Sequence, residues 1–201
     1  LVINADQFVP QSRPRLFVIG VAEDVVIPEE LVSPEPIAPF HNAPLRRAAA
    51  KLSGEALKAM VWWNLPTPPR RPTDFVDLIE DRPKGVEWQT AEETRALMAK
   101  MSDVNRAKVA AAKRAGRRMV GGIYKRTRRL PDGTKVQRAE VRFDDVAGCL
   151  RTPSGGSSRQ IIMVVDGRRI RTRLISPRET ARLMGLPDTY RLPKNYNDAY
   201  H

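Results

Sequence analysis

NADQFVPQSRPRLFVIGV, residues 4–21, sets a polar, doubly basic cluster directly against a dense apolar run. Leu16 to Val21 is mostly β-branched or aromatic, which predicts a strand. The run is continuous rather than alternating, so the expected strand is buried on both faces, as in the parallel sheet of an α/β protein. Gln11, Arg13 and Arg15 are spaced by two and so leave one side of the chain as the strand begins. Arginine is costly to bury, and its fork matches a carboxylate, a phosphate or a base edge. A plain strand end with solvated arginines, its edge kept free by Pro14, is an equally open reading.

The chain has 201 residues, enough for one domain or a modest two. Its 35 Lys+Arg against 23 Asp+Glu give a formal charge of +12, which favours an anionic partner. Nucleic acid is the default candidate; ribosomal or membrane-surface roles are open on charge alone. The one cysteine, Cys149, excludes an internal disulfide framework and fits a reducing compartment. No apolar run is long enough to span a bilayer, and no signal peptide is recognisable. The chain opens at Leu1 close to a core-like strand, so further residues are expected before it.

Five prolines between Ala22 and Pro44 (28, 34, 36, 39 and 44) exclude a long helix or a central strand and predict an extended connection. His41 lies there with no second histidine or cysteine near it, and is expected at the surface. Ser53 can cap a helix over Glu55 to Trp63, with Leu57, Met60 and Val61 as its apolar stripe. Trp62 and Trp63 are adjacent and cannot share one helix face; one is expected in the core. Thr73 to Ile79 is a small apolar packing element, and Asp81 to Gln89 a turn-rich link. Thr90 and Glu93 form a capping box for a helix over Glu92 to Lys100, with Leu97 and Met101 inward. Ser102 begins a second helix, Asp103 to Ala115, closed by Gly116.

Charge then concentrates. Residues 106–138 hold 12 Lys+Arg and one acid, Asp132, a net +11. A solvated face normally mixes signs. Arg106, Lys108, Lys113 and Arg114 lie on the polar face of the second helix. Arg117, Arg118, Lys125, Arg126, Arg128 and Arg129 follow in a strand-like text that turns at Pro131-Asp132-Gly133 and returns through an alternating segment to Phe143. A basic helix followed by a basic hairpin suits phosphate contact, since each cation displaces counterions from a nucleic-acid backbone; a solubilising surface is the bland alternative. Gly121-Gly122 marks a close backbone approach or a bulge.

Asp144 to Gln160 is a Gly/Ser loop whose Ser154, Gly155 and Gly156 could hold phosphate through hydroxyl and amide donors. It has neither dinucleotide nor P-loop spacing. Cys149 has no histidine nearby to activate it and reads as a small buried residue. Ile161–Val165, Asp166-Gly167 and Arg169–Leu174 predict a hairpin. Ser176, Pro177 and Glu179 supply cap, first-turn proline and capping-box acid for a short helix closed by Gly185. The tail after it shows no terminating element.

Two of these stretches together resemble the DNA cytosine-5 methyltransferases. NADQFVPQSRPRLFVIG (4–20) is similar to the family's eighth conserved motif, with its Gln-x-Arg-x-Arg core before a strand of the catalytic domain. RTRLISPRETARLMGLPDTYRLP (171–193) is similar to the ninth, with Ser176 for Thr, Met184 for Gln and Leu186 for Phe. The resemblance implies the edge portion of a Rossmann-like catalytic domain plus a mixed α+β target-recognition domain. It places catalytic-domain strand in 1–27, target recognition in 28–148, and the return toward the catalytic domain in 149–201. The implied reaction moves a methyl group from S-adenosylmethionine to C5 of a cytosine flipped out of duplex DNA. C5 is a poor nucleophile, so a cysteine thiolate must first add at C6.

By the same resemblance Arg15 matches the arginine near cytosine O2, and Arg13 its supporting neighbour. Gln11, Ser176, Arg178 and Glu179 take structural roles. The family's glycine-rich cofactor loop, Pro-Cys nucleophile and Glu-Asn-Val carboxylate are not in these residues, so the chain reads as the C-terminal portion of an enzyme. It is expected to be inactive alone and to bind neither cofactor nor metal. Its implied partners are duplex DNA and the rest of the catalytic domain, in a cytoplasmic, bacterial-type setting and not at a membrane. A non-catalytic DNA-binding module of the same ancestry is the alternative.

Overall fold

The computed structural model describes residues 1–150 and 159–200, with backbone alone at 200. The chain forms two compact units: Leu1–Phe8 with Arg13–Arg70, and Val9–Ser12 with Arg71–His201. The architecture is mixed α/β, and among the described residues there are three sheets in which every strand pair is antiparallel.

In the first unit β1 (Val2–Asn4) pairs with β2 (Pro14–Leu16). β3 (Val32–Ser33), α1 (Ala43–Ala49), α2 (Gly54–Lys58) and β4 (Trp62–Trp63) follow. The doubly buried strand expected over 16–21 is not formed. β2 ends at Leu16, and the run beyond it is open to solvent, with Val18 87% exposed. Among the described residues, β1 pairs with β2 over three rungs, Leu1 accepts the Phe17 N–H, and no layer covers the run. The helix expected through Trp63 stops at Lys58, and Ser53 makes no side-chain cap bond. Trp62 and Trp63 instead extend to pair with Ser33 and Val32, a conformation that suits aromatic side chains better than a helix. His41 is buried, not at the surface. Its Nδ1 accepts the Ile37 N–H at 2.9 Å, and its ring meets the edge of Trp62 at 4.7 Å.

The second unit contains α3 (Ala91–Ala99), α4 (Asp103–Arg114), β5 (Met119–Arg129), β6 (Lys135–Arg142), β7 (Ile161–Asp166), β8 (Arg169–Leu174), α5 (Pro177–Leu183) and α6 (Tyr196–Tyr200). The tail therefore carries a short helix, contrary to expectation; Tyr196 ties it down by donating to the Ile175 carbonyl at 3.1 Å. The sheet order is β6-β5-β7-β8. One face carries Met119, Ile123, Ala139, Val141, Ile161, Met163 and Val165 against Leu97 and Met101 and against Val109 and Ala112 of α4. The other carries Val120, Ile162 and Val164 against Phe75, Ile79, Ile175 and Leu183. Residues two apart thus share a face, and β7, central and covered on both sides, is the unbroken apolar run IIMVV. Each large apolar side chain fully buried here contributes about 1.5–3 kcal/mol.

Candidate nucleic-acid interface

The site begins with the elements that hold it. The α5 capping box forms as its sequence requires: Ser176 Oγ accepts the Glu179 N–H, and the Glu179 carboxylate accepts the Ser176 N–H. That carboxylate does more. It receives both terminal nitrogens of Arg173, at 2.6 and 2.8 Å, and the Glu80 N–H at 2.8 Å. Arg173 and Glu179 are both 0% exposed. Trp88 stacks against the guanidiniums of Arg171 and Arg173, at 4.1 and 4.6 Å from its ring centre. Neither Arg173 nor Trp88 is marked out by sequence reasoning. The available signal is the two-residue spacing of Arg171 and Arg173 in a strand directly before a capping box.

Gln11, in the second unit, meets this helix. It is 1% exposed, and its Nε2 donates to the Leu183 carbonyl at 2.9 Å. Backbone bonds from Ser12 to Ala147 and from Ala147 to Pro10 fix the segment beside the sheet. Arg178 holds the tail by donating to the carbonyls of Pro187 and Tyr190. Arg182 pairs with Glu80 and Asp188, and its guanidinium keeps the exposed Asp188 carboxyl below the ordinary carboxylate range.

Arg13 and Arg15 belong to the first unit. Arg13 is half-buried, and its backbone N–H donates to Asn4 Oδ1 at 2.7 Å. Arg15 is exposed, stands opposite Ile3 in the β1–β2 ladder, and donates to the Pro14 carbonyl at 2.8 Å.

The basic segment divides into cations engaged by the protein and cations turned to solvent. Arg106 pairs with Asp103 and donates to the Ala99 carbonyl. Lys108 donates to the Val141 carbonyl, which draws α4 against β6. Arg117 pairs with Asp145. Arg118 is half-buried and donates to the Ile79 carbonyl and to Asp81. Arg126 and Arg128 both pair with Glu140. Lys113, Arg114, Lys125 and Arg129 are exposed. The net charge read from residues 106–138 is therefore partly neutralised by acids outside that segment. Ser154, Gly155 and Gly156 lie outside the described residues, and Cys149 beside them is half-buried rather than buried.

A cavity of about 490 Å³ is lined by Lys108, Ala111, Ala112, Met119, Arg142, Phe143 and Asp144. The close approach at Gly121 is to the protein itself: a Cβ there would stand 2.8 Å from the Arg142 carbonyl oxygen and from the Phe143 ring. Tyr124 packs still more closely on Gly148, and burial pushes its phenol pKa up.

One family model, C-5 cytosine-specific DNA methylase, matches residues 1–201. The chain belongs to the C-5 cytosine-specific DNA methylase family. No curated protein and no solved structure matches it. The family is associated with S-adenosylmethionine-dependent methylation. Among the described residues, the close approaches at Gly121 and Gly148 are filled by Phe143 and Tyr124 of the chain itself, so neither glycine is a cradle for that cofactor. Among the described residues no group of three acids, histidines or cysteines could hold a metal, and no helix is long and apolar enough to cross a membrane.

Proposed function

We propose that this chain serves a DNA (cytosine-5-)-methyltransferase, in which a methyl group passes from S-adenosylmethionine to C5 of cytosine within a specific duplex sequence. Its own part is recognition of the DNA, assigned to residues 28–148, and one wall of the base pocket, assigned to Arg15 with Arg13 in support. The observation that carries this reading is family membership along the whole chain. The exposed cations Lys113, Arg114, Lys125 and Arg129 support the choice of duplex DNA as partner, since each that meets a phosphate releases counterions. The bond from Gln11 to the Leu183 carbonyl supports the structural role given to Gln11, because it joins the two motif stretches. The remainder of the catalytic machinery is proposed to come from the rest of the same protein, acting on DNA in the cytoplasm.

The test is transfer of labelled methyl groups to cytosine-containing duplexes by the full-length protein that carries these residues. Incorporation at cytosine C5 is the expected result. A well-folded protein that binds duplex DNA but transfers nothing would leave a DNA-binding module and remove the enzyme.

A further inference from the structure

β5 outruns its sheet. It pairs with β7 only over Met119–Ile123, whereas its pairing with β6 continues to Arg129↔Lys135. Among the described residues, the six rungs from Tyr124↔Glu140 outward therefore form a two-stranded ribbon beyond β7. Directly opposed residues share a face. One face carries Tyr124, Arg126 and Arg128 with Glu140, Arg138 and Val136; the other carries Lys125, Thr127 and Arg129 with Ala139, Gln137 and Lys135. At its base the second face already meets the end of α3, through the Ala139 N–H to the Lys100 carbonyl and Lys100 Nζ to Gln137. The first face presents two guanidiniums, 56% and 54% exposed, that converge on Glu140, the one acid of the ribbon.

We propose that this ribbon lies in the major groove of duplex DNA and reads guanines through Arg126 and Arg128, with Glu140 as the positioning residue that sets their aim. The inference rests on the DNA reading of the preceding section and says how that DNA is recognised. A major groove about 12 Å wide admits a two-stranded ribbon. Arginine's rigid planar fork matches guanine O6 and N7 with two parallel bonds, where lysine offers one ammonium on a flexible stem. Arg126 and Arg128 are two residues apart, about 6.8 Å at 3.4 Å per strand residue, or roughly two base-pair steps. Glu140 holds both forks in place before DNA arrives, so less side-chain freedom is lost on binding. The lysines of the opposite face are point charges suited to phosphate.

The test offers the chain a pool of duplexes with a randomised central segment, sequences the bound fraction, and measures affinity across salt. The wild-type chain is expected to enrich guanines about two base pairs apart. The variant Arg126→Lys/Arg128→Lys keeps its charge, so its salt slope should hold while its preference for those guanines falls roughly 10- to 100-fold. Glu140→Gln should tighten binding to random duplex and weaken the same preference. Lys125→Gln/Lys135→Gln should lower the salt slope and leave the selected sequence unchanged. An arginine-to-lysine variant that selects the wild-type sequence would overturn the proposal. So would a wild-type chain that binds with ordinary salt dependence but selects no sequence, which leaves DNA binding standing. Failure to bind any duplex, even at about 50 mM salt, would remove the DNA reading itself.

Discussion

Glu179→Ala takes one carboxylate from the centre of four hydrogen bonds: two from Arg173, one from the Glu80 N–H and one from the Ser176 N–H. Arg173 then remains charged and fully buried, with the carbonyls of Leu174 and Glu80 and the Trp88 face as its company. Two backbone N–H groups lose their acceptor, at about 1–3 kcal/mol each if no water enters. Breaking a buried ion pair from one side costs about 3–5 kcal/mol in total, and that is the expected loss. Urea unfolding followed by far-ultraviolet circular dichroism measures it. Arg173→Met should cost a similar amount. The pair of substitutions Arg173→Met/Glu179→Leu should cost clearly less than the sum of the single changes, because no charge is then stranded. It should not recover fully, since the Glu80 and Ser176 amides stay unsatisfied. A loss below about 1 kcal/mol for Glu179→Ala, or strict additivity in the double variant, would refute the reasoning.

Four further outcomes are expected. Burial pushes the His41 pKa below its ordinary 6.5, so between the folded value and 6.5 the unfolded state binds more protons. Stability from this group is complete above pH 6.5 and is lost as pH falls below it; melting between pH 5.5 and 7.5, flattened by His41→Phe, checks this. Gly121→Ala forces a methyl group against a backbone carbonyl and a packed ring, and should lower stability by about 1–3 kcal/mol in thermal melts. Arg118→Gln should reduce stability while leaving the salt slope of DNA binding intact, because its guanidinium is bonded to Ile79 and Asp81; a reduced slope would place it on the DNA face. Neutralising Lys113, Arg114, Lys125 and Arg129 should reduce the slope of log K against log salt by about 0.9 for each residue that meets a phosphate, and an unchanged slope would move the interface elsewhere.

Local chemistry was legible where a few neighbouring residues settle the matter. Thr90 with Glu93, and Ser176 with Glu179, announce helix starts whose partners lie within one turn, and both capping boxes form. The Pro131-Asp132-Gly133 turn fixes the register of the basic hairpin, and Gly133 and Gly185 adopt the positive φ that ends their elements. Engagement of the basic residues was not legible. Arg118 finds its acid at Asp81, too far along the chain for spacing to reveal, and Arg126 and Arg128 meet Glu140 across the hairpin.

Two apolar runs of nearly the same character mark the boundary. LFVIGV at 16–21 reads as a strand buried on two faces, and IIMVV at 161–165 as one strand of a hairpin. The second is the one buried on both faces, because β5 and β8 flank it and packed layers cover it. Among the described residues the first has β1 beside Leu16 and Leu1 bonded to Phe17, and it lies open to solvent. Composition states what a segment loses by meeting water, and so decides by itself that both runs favour burial. Whether the burial happens depends on neighbours brought from distant parts of the chain, and that only the tertiary structure decides.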